Sequence, residues 1–210
     1  VKNWIKRKDA IKIDEDQFQH EAGLIPFGNG VYDLDEGRLR DYKPEDYFTF
    51  KLNAEYISDA DESRVNEFLE DIAPESEEKR KKLREVMALS LAPWNFLSVM
   101  PVLFGKGRNG KSKYVQIIKE MIGKQNAYKT SASDLQEDKF ETSTINNSLM
   151  VHFDEFEDVS KPSKLKELTE EDYKVRRMNQ EPENKRNIIQ PIFAGNVMPN
   201  PDEESEGFYR

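Results

Sequence analysis

Gly105, Gly110, Lys111 and Ser112 fit the pattern G-x-x-x-x-G-K-[ST], here spelled GKGRNGKS. Each residue type has a task in gripping a polyphosphate. Glycines let the chain fold so that successive backbone N–H groups point inward, and a helix starting near Lys111 adds its positive end. Lys111 can then reach the β and γ phosphates of a nucleotide and Ser112 can hold Mg²⁺, with Lys106, Gly107, Arg108 and Asn109 completing the cradle. Such a loop needs an acidic element across the site, to hold the metal and the attacking water. LMVHFDEFE supplies one, an apolar run ending in Asp154 and Glu155, at a strand end where parallel sheets collect ligands. Asp154 suits the metal shell and Glu155 the general base. Carboxylates are common here, 41 in all, and a solvated turn is the competing reading; the place after a buried strand, downstream of the loop, favours function. Glu157 and Asp158 read as surface. A third apolar run, PIFAGN, ends in Asn196, placed to touch the γ-phosphate or the lytic water. Asn before VMPNP is also an ordinary turn former. The order of loop, acidic pair and polar sensor decides for function.

Strands and helices must hold these residues. From Val99 onward the chain reads strand, glycine loop, helix: VMPVLF, GKGRNGKS, then KYVQIIKEMIG with Gly123 closing the helix. SLMVHFDEFE and IIQPIFAGN read as further strands. Buried strands alternating with helices imply an α/β fold, with a parallel sheet covered on both faces. Ahead of it, between Ile11 and Tyr56, the turn signals FGNG, LDEG and YKPED separate short pieces such as GVYDL and FTFKL, which suit small strands or hairpins. From Asp61 to about Ala92 the spacing is helical, with stripes of Val65, Phe68, Leu69 and Ile72 and of Leu83, Val86, Met87 and Leu91 on either side of Pro74. The run EEKRKK is a solvated helix face. The expected division is a leading segment of residues 1–93 and a P-loop core of residues 94–210 that reads as truncated at its C-terminus.

Composition narrows the function classes. Of 210 residues, 36% are hydrophobic and 35% charged, enough for a core beneath a densely ionised surface. Net charge is -9, so contact with nucleic acid must come from a local patch rather than from the overall field. No run of 18 apolar residues and no signal sequence occur, so no membrane partner is expected. Cysteine is absent, which excludes thiolate chemistry and leaves a cytoplasmic setting as the default. Two histidines, His20 and His152, make a zinc site unexpected. The start inside what reads as a helix and the stop at GFYR suggest a fragment of a longer protein.

The motif set resembles the superfamily 3 helicases, specifically the poxvirus-type and phage or plasmid primase-helicase group within the AAA+ class. The likeness covers nearly the whole chain. LIPFGNGVYDLDEGRLRDYKPEDYFTFKLNAEY resembles the segment ahead of that family's ATPase core; VLFGKGRNGKSKYVQIIKEMIG resembles Walker A, LMVHFDEFE Walker B, KLKELTEEDYKVRR the B′ motif and IFAGNVMPN motif C. The resemblance implies an AAA+ core using ATP and Mg²⁺, a homo-oligomeric and usually hexameric ring translocating on single-stranded DNA, and a primase domain or protein nearby. It implies work in the cytoplasm, that of the host if the source is viral or phage. It also implies a channel hairpin in KVRRMNQEPENKRN, with Pro182 and Asn184 near its turn and Arg176, Arg177, Lys185 and Arg186 as the DNA-binding cluster; a charged hairpin of structural use is the competing reading. Arg210, in GFYR, would be the arginine finger acting on a neighbour's ATP. Glu170, Glu171 and Asp172 stand where the family commonly has Gly-Gly-Asp, so no glycine role carries across. Two rival functions stay open: a P-loop kinase, for which the segment from Gly123 to Asn147 lacks a basic lid, and a nucleotide-binding ring-assembly or replication-initiation module without unwinding.

Overall fold

Turn residues written into the leading segment fold it into an antiparallel meander of β1 (Leu24–Phe27), β2 (Gly30–Asp33) and β3 (Arg38–Arg40). The computed structural model describes residues 23–94, 97–137, 141–154 and 162–196. Asp33 stabilises the second turn, its Oδ1 accepting the N–H groups of Asp35 and Glu36 at 3.0 Å each. The guanidinium of Arg40 grips Asp46 with two bonds of 2.8 and 3.0 Å and holds that carboxyl below its ordinary pKa. FTFKL forms no strand, against expectation. Its backbone makes isolated bonds instead of a ladder: Leu52 N–H donates to Pro26 O, and Lys51 O accepts from the Asn126 side-chain amide at 2.9 Å.

Two helices follow, α1 (Ser63–Ile72) and α2 (Glu77–Leu89). Pro74 lies between them, and the Ser76 hydroxyl caps α2 by accepting the Lys79 N–H at 3.2 Å. The remaining elements are β4 (Val102–Phe104), α3 (Lys111–Ile122), β5 (Ala127–Thr130), α4 (Ala132–Glu137), α5 (Glu141–Ile145), β6 (Met150–Asp154), α6 (Pro162–Glu167), β7 (Asp172–Val175), β8 (Glu183–Arg186) and β9 (Gln190–Gly195). Strands β4, β9, β6 and β5 make a parallel sheet in that order, while β7 and β8 pair as an antiparallel hairpin. The first sheet strand is shorter than VMPVLF suggests. Pro101 has no N–H to give a ladder, although its carbonyl accepts from Phe193.

Side-chain alternation divides the core across this sheet. Met150 and Ile192 pack against Tyr114, Ile118 and Ile122 of α3 and against Leu52, Leu69 and Met87 of the leading segment, so residues on both sides of position 94 share one core. Val151, Phe153 and Phe193 face the other way, onto Leu135, Ile145, Leu165 and Val175. The rings of Phe153 and Phe193, paired in register, stack at 4.4 Å and 8°. Burying each such side chain stabilises the fold by about 1.5–3 kcal/mol. Those two layers back the sheet on both faces.

Candidate functional site

Three strands of the sheet finish level. Phe104 of β4 pairs with Gly195 of β9, and Ala194 pairs with Asp154 of β6. The glycine loop after β4, Asn196 after β9 and Asp154 at the tip of β6 therefore meet at one edge. Because β9 is last of the four in sequence but lies between β4 and β6, Asn196 arrives beside Lys111 across 85 positions of chain. A cleft of about 560 Å³ opens there, lined by residues 107–113, His152, Asp154 and Asn196.

Sterics explain both glycines of the motif. Gly110 has φ +86°, and a Cβ there would run into Ile72 of α1; a Cβ on Gly105 would run into the Asn109 amide. Arg108 between them is left-handed at φ +64°. Gly110 starts α3 with no side-chain cap, which leaves the first turn the orphan N–H donors of any helix start. The Lys111 ammonium donates to Gly105 O at 2.6 Å, Asn109 Oδ1 at 2.9 Å and Asn196 Oδ1 at 3.0 Å, with Lys106 O at 3.4 Å. Ser112 lines the same cleft as Asp154.

Asp154 has companions that the sequence did not disclose. Lys129 of β5 forms an ion pair with its Oδ2, and His152 Nε2 stands 3.1 Å from its Oδ1. That second approach lacks the alignment of a hydrogen bond, and neither ring nitrogen of His152 has a hydrogen-bond partner. Burial pushes the imidazole down to about 4; Asp154 opposes the shift, and Lys119 and Lys129 add to it. Burial also lowers the Lys119 ammonium, against the pull of Asp154. His152 had a signal, since two positions before Asp154 on a strand means the same face. Lys129 had none, because β5 lies in a polar stretch with no strand pattern. Glu155, Glu157, Asp158 and Arg210 lie outside the described residues.

The hairpin of β7 and β8 is present, with its turn at residues 178–180 and Asn179 left-handed at φ +59°. Asn184 is not near that turn: it sits within β8, opposite Lys174. The four expected DNA-binding residues belong to this hairpin, apart from the cleft's lining; a carboxylate stands close to two of them and in register opposite a third. Arg177 is ion-paired with Glu183, Lys185 Nζ lies 3.6 Å from the same carboxylate, and Arg186 stands opposite Asp172. Arg176 N–H donates to Thr142 Oγ1 at 3.3 Å. Before the hairpin, the turn at Glu170 and Glu171 needs no glycine, since neither residue has a positive φ. Buried Asn187 clamps it, its Nδ2 donating to Leu168 O and Glu170 O at 2.7 and 2.9 Å and its N–H to Glu171 O at 2.7 Å.

Residues 103–210, which carry the loop, Asp154, the hairpin and Asn196, match a family described as "Family of unknown function (DUF5906)". The chain belongs to this family. Residues 1–74 match a second family, "D5 N terminal like". Among curated proteins, this DUF5906 chain is 34% identical over 115 residues to "Putative helicase L207/L206" of Acanthamoeba polyphaga mimivirus, covering 53% of the chain and 11% of that protein. It is 30% identical over 124 residues to "Putative helicase 184R" of Invertebrate iridescent virus 6, covering 56% of the chain and 13% of that protein. The chain thus spans little more than a tenth of these relatives. Among solved structures, the apo A form of the NrS-1 C-terminal region superimposes with a TM-score of 0.55 at 19% identity, over 68% of this chain and 35% of that one. Another apo structure of the same region gives 0.53 at 20%, over 69% and 36%. The fold is shared with that region. Among the described residues no helix is long and apolar enough to cross a membrane.

Proposed function

We propose that the cleft binds ATP and hydrolyses it, as the motor of a replicative DNA helicase of viral or phage type. The observation that carries this reading is the Lys111–Asn196 contact at 3.0 Å: a phosphate-gripping ammonium and a polar strand tip meet beside Asp154, at the ligand-collecting edge of a parallel sheet. The loop backbone and the start of α3 take the β and γ phosphates, and Lys111 turns from its present carbonyl partners onto them. Asn196, released from Lys111, orients the lytic water. Glu155, the residue after Asp154, accepts that water's proton as it attacks the γ-phosphorus and the bond to ADP breaks.

Ser112 and Asp154 are hard oxygen donors and fit Mg²⁺, which when bound neutralises charge developing on the phosphates. Among the described residues no group of three His, Cys, Asp or Glu could hold a metal; phosphate oxygens and water supply the other ligands. The wider reading is an AAA+ ring of superfamily 3 type, usually hexameric, with Arg210 reaching a neighbour's ATP and Arg176, Arg177, Lys185 and Arg186 meeting single-stranded DNA in the channel. The names of the viral relatives support its helicase part.

The test is ATP hydrolysis by the full-length protein with and without single-stranded DNA, alongside Lys111→Ala and Glu155→Gln. Hydrolysis should be stimulated by DNA and fall by about 10²-fold or more in each variant. Hydrolysis indifferent to DNA removes the helicase reading. Equal rates in the variants remove the active site.

A further inference from the structure

The carboxylate assigned to the metal is already neutralised from within the chain. Lys129 pairs with His152 across β5 and β6, and directly opposed residues share a face of the sheet. His152 and Asp154, two apart on one strand, share that face too. Lys129, His152 and Asp154 therefore stand in a row on the α3 side, and the row ends in the Lys129–Asp154 ion pair. Both partners are partly open to water, their side chains 60% and 43% exposed, so the ammonium can leave without disturbing the core. His152, beneath them, offers Asp154 no aligned hydrogen bond in its place.

We propose that Lys129 is a positioning residue, the counter-ion of Asp154 in the nucleotide-free site, and that it admits the divalent cation only together with a nucleoside triphosphate. This rests on the reading of the cleft as an ATP site. A bare divalent cation approaching Asp154 meets the ammonium of Lys129 about 5 Å away, and Coulomb's law with water-like screening makes that repulsion worth about tenfold in affinity. A cation carried by a triphosphate arrives with its charge already outweighed, and the ammonium yields. The order of loading is thereby set by one strand residue, and Asp154 is kept from capturing free metal that would leave the loop empty.

The experiment is an electron paramagnetic resonance binding series with Mn²⁺ on the full-length protein without nucleotide, for wild type, Lys129→Met, Lys129→Arg and the double variant Lys129→Met/Asp154→Asn. Binding of a fluorescent ATP analogue is measured on the same samples. Lys129→Met should bind free Mn²⁺ about tenfold more tightly than wild type, Lys129→Arg should restore weak binding, and the double variant should lose the gain. Unchanged Mn²⁺ affinity in Lys129→Met, or a gain that survives Asp154→Asn, overturns the proposal while leaving the ATP site standing. A wild type that takes up no ATP analogue overturns the ATP site itself, and the proposal with it. Should Lys129→Met fail to fold, Lys129→Gln carries the same comparison.

Discussion

At the glycine loop the ammonium of Lys111 is held by oxygens from positions 105, 109 and 196; at the β7–β8 hairpin the guanidinium of Arg177 is held by Glu183, six residues away. The loop's partners include a strand tip delivered by the sheet, and Gly110 is fixed by a helix of the leading segment. The hairpin's ion-pair partner, Glu183, is its own neighbour. Ion pairs as exposed as Arg177–Glu183, with side chains 37% and 35% exposed, are worth at most about 1 kcal/mol. Such pairs give way readily when phosphates compete. The loop is thus a preorganised cavity, and the hairpin, with five cations against three carboxylates in residues 172–186, is an adaptable charge ribbon. Long-range packing shapes a cleft; local pairing makes a surface whose charge can be redistributed.

The sharpest way to break this contrast is to disturb the packing behind the loop. Gly110→Ala puts a Cβ into left-handed backbone and against Ile72, and should cost about 2–5 kcal/mol in chemical denaturation. In an Ile72→Ala background only the backbone share of about 1–2 kcal/mol should remain. If both backgrounds lose the same stability, α1 does not brace the loop.

Next in size is a pH effect confined to the loop side. Burial lowers His152 from 6.5 to about 4, so the unfolded chain binds the extra proton between those values. Stability is complete above pH 6.5, falls as the pH drops through that window, and flattens below about 4, by up to about 3 kcal/mol. His152→Gln should lose that slope in denaturation series from pH 7 to pH 4.5. A slope unchanged by the substitution means that the imidazole is charged or solvated in the folded protein.

Where the chain signals its structure follows from the same contrast. The glycine loop, α3 and the strand ends at Asp154 and Asn196 are legible because local chemistry dictates them: a pattern of Gly, Lys and Ser, and apolar runs cut off by a polar residue. The hairpin is legible only through the family resemblance, and its turn sits at residues 178–180 rather than near Asn184. Lys129 is illegible. AYKT carries too little apolar alternation to read as a strand, and its place opposite His152 is set by pairing across about twenty intervening residues, which no local pattern encodes. FTFKL errs the other way: it alternates like a strand, yet tertiary contacts to β1 and to the Asn126 side chain claim its backbone. The order β4-β9-β6-β5, which brings Asn196 to Lys111, is likewise a property of the whole sheet.

A third measurement separates structural from chemical use of the long-range contact. Asn196→Ala removes one of the oxygens on Lys111, and with it the group proposed to orient the lytic water. The turnover rate of ATP hydrolysis should fall about 10²-fold with little change in nucleotide affinity. A variant that loses affinity but keeps turnover would make Asn196 a brace for Lys111 only.

The smallest effect probes the hairpin. Glu183 neutralises Arg177 and stands near Lys185, so Glu183→Gln leaves both with one carboxylate fewer to hold them. Stability should change by less than about 1 kcal/mol, because both side chains are partly exposed. Binding to single-stranded DNA should tighten at low salt, and the plot of log affinity against log salt should steepen by about 0.7 for each cation newly committed to a phosphate. The reverse change, Lys185→Glu with Arg186→Glu, should flatten that plot. Because the carboxylate only masks charge that the hairpin already carries, the two variants must move the slope in opposite directions if phosphates bind there. If neither moves it, the ion pairs are the hairpin's final use of its charges, and DNA binds elsewhere on the protein.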